Sequence, residues 1–435
     1  MEGNGALWAG VRTGVNVQLS AEKCLWIKYW KDREMRRREN ILLVTIVCFW
    51  FALYVYIPYQ TPYLTALGVS AGAIGTVVGS YGIMQLILRL PVGVMADYAG
   101  KHKPFVILGA ALTGLACAVR FVFLDGTGFL IGNIISGCGA STWISYMVLF
   151  SGYYSRQEQQ KATSRAIMAC NLGMCLGFVF STCFYAVTSM RFLCGAGIAA
   201  GALGVVLALC VKEESSGKRE VSGNSQKGST EEKTTVKSLL SICANKKLIL
   251  FSLLALLQQG IQMATAMSFT TQILEDLGAG AGFIGCASVF YMIAAVASAQ
   301  FASTEVCERR GAKFYIPLVF LLTGIYCVLV PVVGNIYVIF LLQAFPGMST
   351  GILLSYLTSE SMTEVPKEKS STAMGFFQAV YAVGMSAFPT IVGSLTEQVN
   401  VGLGYAFLAA AAFLGTVVTL VYYRRRAEKK PEKLS

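Results

Sequence analysis

Residues 93–103 read GVMADYAGKHK and separate two long apolar runs, residues 71–96 and 104–124. Both runs reach the length of about 20 apolar residues that a helix needs to cross a bilayer. An acidic residue, Asp97, and a glycine, Gly100, therefore lie in a short polar stretch between two membrane-length segments. This pattern predicts a membrane protein whose helices are joined by tight polar turns.

The composition indicates that the chain crosses the membrane many times. Of its 435 residues, 55% are hydrophobic and 13% are charged, whereas soluble domains carry about 25% charged residues. We predict an all-α membrane protein with twelve transmembrane helices in two pseudo-symmetric six-helix bundles. The candidate spans are residues 41–62, 71–96, 104–124, 127–151, 162–189, 191–211, 248–272, 280–303, 314–333, 335–357, 371–394 and 402–423.

Polar segments divide the chain into parts. Residues 212–247 begin with a stretch rich in Ser, Glu, Lys and Gly that cannot bury a core, which predicts a cytoplasmic linker. The other predicted parts are an N-terminal tail (1–40), an N-terminal bundle (41–211), a C-terminal bundle (248–423) and a C-terminal tail (424–435). Translation starts at Met1 or at Met35. The turns predicted between adjoining spans are Asp125–Gly126, Ser189–Arg191 and Gly334–Asn335.

The basic residues predict the orientation. All but three of the 35 Lys and Arg lie on the side that holds both termini, and the exceptions are Arg89, Arg120 and Arg191. By the positive-inside rule both termini face the cytoplasm of a multi-pass protein in the plasma or inner membrane. The net charge of +12 then reflects topology, and the expected partner is the lipid bilayer rather than nucleic acid. A monomer is expected.

Side chains suited to metal sites or catalysis are sparse. The one histidine, His102, cannot build a zinc site, and most of the 13 cysteines lie in apolar runs, where they act as small hydrophobic residues. The spans contain no acid pair, and the sequence has no Walker-type phosphate loop. We therefore expect no metal, no cofactor and no enzyme activity.

The two halves of the sequence repeat at an offset of 210 residues. Residues 67–75 read LGVSAGAIG and residues 277–285 read LGAGAGFIG. The same offset pairs Tyr81 with Tyr291 and Gly137 with Gly347, and an offset of 211 pairs Gly173 with Gly384. Such a repeat predicts two parallel six-helix halves with a ligand path between them near the membrane midplane.

Within this frame the chain, over about residues 41–425, resembles the major facilitator superfamily. That family carries the signature G-x-L-A-D-R-x-G-R-K-x between helices 2 and 3, and the matching residues here are Gly93, Asp97, Gly100 and Lys101. Met95 and Tyr98 depart from the signature. In the family this loop latches the outward-facing state, so the resemblance implies that Asp97 is a gating residue. A weaker copy, TEVCERRGAK at residues 304–313, contributes Glu308 and Gly311.

Two other motifs of the family are incomplete. Its helix-4 motif contains an arginine linked to proton antiport, and Asn133 stands at that position here, which argues against the usual proton relay. The glycine motif of the drug/proton antiporters matches helix 11 loosely, at Gly375, Gly384, Pro389 and Gly393.

Polar residues inside the predicted spans are candidates for a substrate cavity, because such groups are costly to bury in a membrane. The resemblance implies that helices 1, 2, 4, 5, 7, 8, 10 and 11 line this cavity. The candidates are Tyr54, Gln60, Tyr81, Gln85, Asn133, Asn171, Gln258, Gln262, Tyr291, Gln343, Gln378 and Tyr381. For each one, bonding between helices is about as good an explanation as ligand contact. Together they suit a neutral or amphipathic organic solute.

Two arginines within the spans need partners. We expect Arg89 to form a structural ion pair near Asp97, with an anion-binding role as the alternative. We expect Arg120 to reach toward the membrane surface or to pair with Asp125.

The sequence therefore predicts a secondary active transporter of a small organic solute that works by alternating access. Export is slightly favoured, and the coupling ion is open. One alternative is an uptake permease for a sugar, nucleoside or other metabolite. Another is a transporter-like membrane sensor or receptor that does not translocate, which the short tails and linker disfavour.

Overall fold

The computed structural model describes residues 33, 35–69, 71–213 and 239–428. Most of the predicted N-terminal tail, most of the linker and the end of the C-terminal tail lie outside these residues. The described part is built from helices and contains no β-strand. Its long helices are α1 Met35–Gln60, α2 Ala71–Ala99, α3 Lys103–Val122, α4 Gly126–Ser151, α5 Gln159–Phe184, α6 Met190–Cys210, α7 Lys246–Ala264, α8 Ala281–Ala302, α9 Ala312–Leu329, α10 Ile336–Met362, α11 Ser370–Gln398 and α12 Val401–Glu428.

The prediction of an all-α membrane protein is confirmed. In the described part of the chain, 11 helices are long and apolar enough to cross a membrane. The remaining predicted span is α2, which has 29 residues and is long enough. Gln85, Arg89 and Pro91 lie within it.

The three predicted turns between adjoining spans are present, and each provides a polar cap for the helix that follows. The Asp125 carboxylate accepts a hydrogen bond from the Gly128 N–H at 2.7 Å, at the start of α4. Ser189 caps α6, and Asn335 caps α10 in the same way. These caps satisfy backbone N–H groups that have no partner inside their own helix.

The internal repeat is visible in how glycines pack. A Cβ atom on Gly137 of α4 would lie 2.7 Å from the Tyr81 carbonyl oxygen of α2. A Cβ on Gly347 of α10 would lie 2.9 Å from the Tyr291 carbonyl oxygen of α8. Both distances are too short for a side chain, so glycine lets each helix pair approach closely. The helix pairs α2–α4 and α8–α10 are thus equivalent.

A second pair of repeated glycines brings other helices together. A Cβ on Gly173 of α5 would lie 2.6 Å from the Val47 carbonyl oxygen of α1. In the other half, a Cβ on Gly384 of α11 would lie 2.2 Å from the Leu256 carbonyl oxygen of α7. The repeat therefore corresponds to the same packing in each half. The exact division into residues 41–211 and 248–423 remains a prediction.

The two halves meet along two helix pairs, α2 with α11 and α5 with α8. The internal repeat relates the two pairs to each other, because α2 corresponds to α8 and α5 corresponds to α11. We call the end of the molecule that carries residues 93–103 the inner end, and the opposite end the outer end. The site described below lies between the halves.

The predicted orientation can be tested with two cysteines placed at opposite ends of α5. Gln157 lies in the exposed turn Arg156–Glu158 before this helix, and Val187 lies in the turn Tyr185–Val187 after it, with 77% of its surface exposed. In a background without native cysteines, we expect Val187→Cys to react with a membrane-impermeant maleimide on intact cells. Gln157→Cys should react only after permeabilisation. The opposite pattern would reverse the predicted orientation.

Candidate functional site

Asp97 joins the two halves at the inner end. Its Oδ1 accepts a hydrogen bond from the Ser371 N–H at 2.9 Å, and its Oδ2 accepts one from the Thr372 N–H at 2.6 Å. These N–H groups belong to the first turn of α11, where the helix dipole also favours a negative charge. The carboxylate at the end of α2 therefore caps a helix of the other half.

The backbones of α2 and α11 touch beside this contact. A Cβ on Gly93 would lie 2.3 Å from the Ser371 carbonyl oxygen, and one on Gly375 would lie 2.7 Å from the Arg89 carbonyl oxygen. Neither distance leaves room for a side chain. The inner end is thus closed by two helices in backbone contact, and we refer to Gly93, Asp97, Ser371, Thr372 and Gly375 as the inner seam.

Toward the outer end, several glycines of α2 and α8 have no close neighbour. A Cβ on Gly79 or Gly82 of α2 would meet no atom within 4 Å, nor would one on Gly282 or Gly285 of α8. The halves are therefore tightly packed at the inner end, and these outer-end positions face open space.

A second carboxylate supports the loop that carries the motif. Glu213, just after α6, accepts hydrogen bonds from the backbone N–H of His102 at 2.5 Å and of Lys103 at 3.0 Å, and so caps α3. The His102 Nδ1 lies 3.2 Å from the Ser371 Oγ of α11. Burial lowers the pKa of His102, while the nearby Glu213 and Asp97 carboxylates act in the opposite direction. Sequence reasoning missed Glu213 because it begins a stretch with the composition of a linker.

The other signature residues have plainer surroundings. Gly100 adopts a φ of 61°, which glycine tolerates and which ends α2, and Lys101 is exposed. In the weaker second copy, Gly311 has a φ of 70° but Glu308 is exposed. The residue 210 positions after Asp97 is Cys307, which is fully buried and whose carbonyl accepts a hydrogen bond from the Tyr356 hydroxyl at 3.1 Å.

Four of the predicted cavity residues converge between the halves. Tyr54 and Tyr81 interact electrostatically with each other, and both pack against the hydrophobic cluster that contains Cys170 of α5. Tyr291 of α8 and Tyr381 of α11 approach the same cysteine from the other half. We call these four tyrosines the tyrosine cluster. Tyr54 and Tyr81 retain some exposure, whereas Tyr291 and Tyr381 are buried.

Two predicted glutamines extend the tyrosine cluster. The Gln262 amide donates to the Tyr291 hydroxyl at 2.7 Å and accepts from Gln258 at 3.2 Å. Gln258 also reaches the Ser349 hydroxyl at 3.3 Å, and Tyr291 is 2.8 Å from the Thr350 hydroxyl. Ser349 and Thr350 begin a π-helical turn, Ser349–Leu353, within α10.

Another π-helical turn, Thr265–Phe269, follows α7. Turns of this type are rare and often lie at functional sites. Neither turn was predicted, because a single extra residue in a helix leaves no clear mark on the sequence.

Arg89 lies between the inner seam and the tyrosine cluster. The prediction that it forms an ion pair near Asp97 is wrong. Its guanidinium donates to the Gln85 side-chain oxygen and to the Gln378 carbonyl oxygen, the latter at 3.2 Å. It also lies over the Tyr381 ring, 5.0 Å from the centroid. Asp97 is instead occupied by the N-terminus of α11.

The expectations for Arg120 are also wrong. This side chain is fully buried inside the N-terminal half, where it donates to the Asn133 oxygen at 2.6 Å and to the Ser136 hydroxyl at 2.9 Å. Its guanidinium lies over the Tyr56 ring at 4.0 Å. Asp125 is not its partner, since that carboxylate caps α4. The Arg120 guanidinium therefore lies beside Asn133, the position at which the helix-4 motif of the family has an arginine.

The remaining candidates lie apart from the tyrosine cluster or have incomplete bonding. Asn133 is held by Arg120 and donates to the Val77 carbonyl at 2.8 Å. Gln343 accepts from the Tyr326 hydroxyl at 3.3 Å inside the C-terminal half. Gln60 and Asn171 are buried, and each has one side-chain atom without a hydrogen-bond partner. The structure thus gives Asn133 and Gln343 the surroundings of residues that join helices within one half.

A family model described as the Major Facilitator Superfamily matches residues 42–272 and 251–435 of this sequence. These segments cover nearly the whole chain. The chain belongs to the Major Facilitator Superfamily. It is thus a multi-pass membrane protein.

Among curated members of the superfamily, the chain is similar to the inner membrane transport protein YajR of Escherichia coli, with 29% identity over 111 residues. This alignment covers 25% of the chain and 24% of YajR. A second relative, an uncharacterised transporter of Methanocaldococcus jannaschii, is 30% identical over 101 residues, or 26% of its length. The matches thus span about a quarter of these relatives. Both carry transporter names, in agreement with the expectation that the chain is not an enzyme.

Solved structures of the superfamily share this fold over most of the chain. The human organic anion transporter MFSD10 (TETRAN) superposes with a TM-score of 0.74 at 13% identity, covering 88% of this chain and 99% of its own. FucP in its outward conformation, a fucose:proton symporter of E. coli, gives 0.67 at 15% identity, covering 88% of this chain and 97% of its own. At these identities the likeness concerns the fold alone.

The inner seam predicts the effect of Asp97→Asn. An amide has one acceptor oxygen and no charge, so the substitution should weaken closure of the inner end by about 2 kcal/mol. As a probe we would use Ala373→Cys, because Ala373 is fully buried next to the seam. We expect Asp97→Asn to raise its labelling rate from the inner end about tenfold or more. Transport should fall while expression is retained.

Glu213→Gln is the matched control, because Glu213 also caps a helix but within its own half. It should reduce the free energy of unfolding by about 1 kcal/mol and so lower the melting temperature. The labelling of Ala373→Cys should stay slow. Equal labelling of the wild type and the Asp97→Asn protein would remove Asp97 from the gate.

Gln262→Ala tests the tyrosine cluster as a binding site. Tyr291 keeps its contact with Thr350, so the protein should remain folded. Loss of one hydrogen bond to a bound solute, about 1 kcal/mol, should weaken the apparent Kd roughly fivefold. The Kd can be read from the concentration dependence of the melting temperature. An unchanged Kd would take Gln262 out of the site.

Proposed function

We propose that this chain is a secondary active transporter that moves a small organic solute by alternating access between its two halves. One observation carries the proposal: Asp97 holds the halves together at the inner end, and a cluster of aromatic and amide side chains that both halves supply lies further along α2, beyond Arg89. When the halves rock about such a shared cluster, the same groups face first one side of the membrane and then the other.

Within this proposal, the gate is formed by Gly93, Asp97, Gly100 and Lys101. The contact of Asp97 with α11 supports this role most directly. Glu308 and Gly311 have a lesser part, because the Glu308 side chain is exposed. The proposed substrate-binding residues, which come from both halves, are Tyr54, Tyr81, Gln85, Gln258, Gln262, Tyr291, Gln378 and Tyr381.

We place the protein in a cell membrane with both termini in the cytoplasm and the outer end facing away from it. The protein acts as a monomer with a small organic substrate. The two structural neighbours are named for different solutes, so the shared fold does not identify the solute or the direction. Export remains the first proposal, and uptake of a sugar, nucleoside or other metabolite is the alternative.

The proposal can be tested in two steps with purified protein. A thermal-shift screen against metabolites and drugs identifies solutes that bind the folded state, because such binding raises the melting temperature. The solutes found are then tested for uptake into proteoliposomes, with and without a proton gradient. We expect accumulation or exchange that the Asp97→Asn substitution abolishes.

Other outcomes assign a different function. A solute that binds tightly but is never moved across the bilayer would support a sensor or receptor and reject transport. Transport that continues unchanged after the proton gradient collapses would exclude proton coupling, as Asn133 at the usual arginine position suggests.

A further inference from the structure

Arg89 is a buried charge, and no acidic side chain of the described residues pairs with it. Its side chain is 3% exposed, and its hydrogen-bond partners are the neutral oxygens of Gln85 and Gln378. The described part of the chain gives it no ion pair, and its Nε has no hydrogen-bond partner. Burying an unpaired charge is costly, and a charged group inside a membrane protein is therefore expected to serve a function.

Two other buried or half-buried cations of this protein are paired with carboxylates. Lys247, which is 7% exposed, pairs with Glu360 at 2.8 Å, and the half-buried Arg165 pairs with Glu39 at 2.7 Å. Both pairs lie outside the tyrosine cluster. The chain thus supplies carboxylates to these cations and leaves Arg89 without one.

Arg120 is also buried without an acid, but its position differs from that of Arg89. All of its contacts, including Asn133, Ser136 and Tyr56, lie within the N-terminal half. Arg89 instead belongs to the N-terminal half and contacts Gln378 and Tyr381 of the other. Only contacts of this second kind change when the halves rock.

The guanidinium of Arg89 is arranged to receive an anion. Arginine binds a carboxylate best through two parallel N–H groups, and the Nε–H and one Nη–H form such an edge. Here the Nε is unpartnered, and the Nη2 is held by the Gln85 amide oxygen, a neutral acceptor. An anionic oxygen forms stronger hydrogen bonds than an amide and can replace it.

The surroundings favour an organic anion over a small inorganic one. The tyrosine cluster provides aromatic faces, and Gln262 adds a polar group toward the α7 side. No acidic side chain takes part in the hydrogen bonds described for this cluster. Asp97 is eight residues further along α2, about 12 Å along the helix, and is bound to α11.

We infer that the solute carried by this protein is an organic anion, whose carboxylate or sulfonate pairs with Arg89 and whose apolar or aromatic body lies against the tyrosine cluster. This inference rests on the proposed transport function. It differs from the neutral or amphipathic solute that the sequence predicts, because the sequence favoured an ion pair for Arg89 and left anion binding as the alternative.

The first test compares anions with uncharged analogues of the same shape. The melting temperature of the purified wild type is measured with aromatic and alkyl carboxylates and sulfonates, such as benzoate and benzenesulfonate, and with their amides. We expect one or more anions to raise the melting temperature and the matching amides to have no effect. If no anion of the set stabilises the wild type, or if amides stabilise it equally, the inference is wrong.

Variants then connect binding to the guanidinium. Arg89→Gln should weaken the apparent Kd of the stabilising anion by about 30-fold or more. Arg89→Lys keeps the charge but loses the two-pronged geometry, so it should retain the preference for the anion over its amide at lower affinity. Arg191→Gln, at an exposed position on the outer side, is the control for loss of one positive charge and should bind as the wild type does.

Two further results separate this inference from the proposed function. If Arg89→Gln does not fold, Arg89→Lys and the anion–amide comparison on the wild type still decide the question. An anion that binds through Arg89 but does not exchange across proteoliposomes would support the site and reject transport. Transport of a neutral solute that is unaffected in Arg89→Lys would support transport and overturn the anion site.

Discussion

The contact between the Asp97 carboxylate and the N-terminus of α11 is the constraint on which the arrangement of the two halves depends. Two backbone N–H groups of one half are satisfied by a single side chain of the other. The contact requires that α2 and α11 approach until their backbones touch, and Gly93 and Gly375 make this possible. Sequence, packing and the closed inner end are therefore linked through one carboxylate and two glycines.

The internal repeat explains why the two halves pack alike and also why they differ in function. Repeated glycines bring together equivalent helix pairs, α2 with α4 and α8 with α10. The chemistry at the inner end is not repeated, because Glu308, the acid of the second copy, is exposed, and Cys307, 210 residues after Asp97, bonds within its own half. The architecture is symmetric, while the charged link between the halves comes from one of them.

Features that depend on local patterns could be predicted from the sequence. The long apolar runs, the capped turn at Asp125 and the Major Facilitator Superfamily signature all follow from residues close together in the chain. The partners of Arg89 and Arg120 could not be predicted, because a long side chain selects among acceptors on neighbouring helices whose rotation the sequence does not specify. Glu213 was missed for a related reason: its role comes from the position of α3, not from its sequence neighbours.

The inner seam has a further consequence because it consists mainly of backbone and one carboxylate. When these five residues separate, water can hydrate both the carboxylate and the freed N–H groups, so the seam itself exposes little hydrophobic area. Its own contribution to the free-energy difference between the closed and the separated arrangement can then be small, although the contact is tight. A seam of polar atoms thus combines a close seal with ready reversal, which an interlocked apolar interface would not permit.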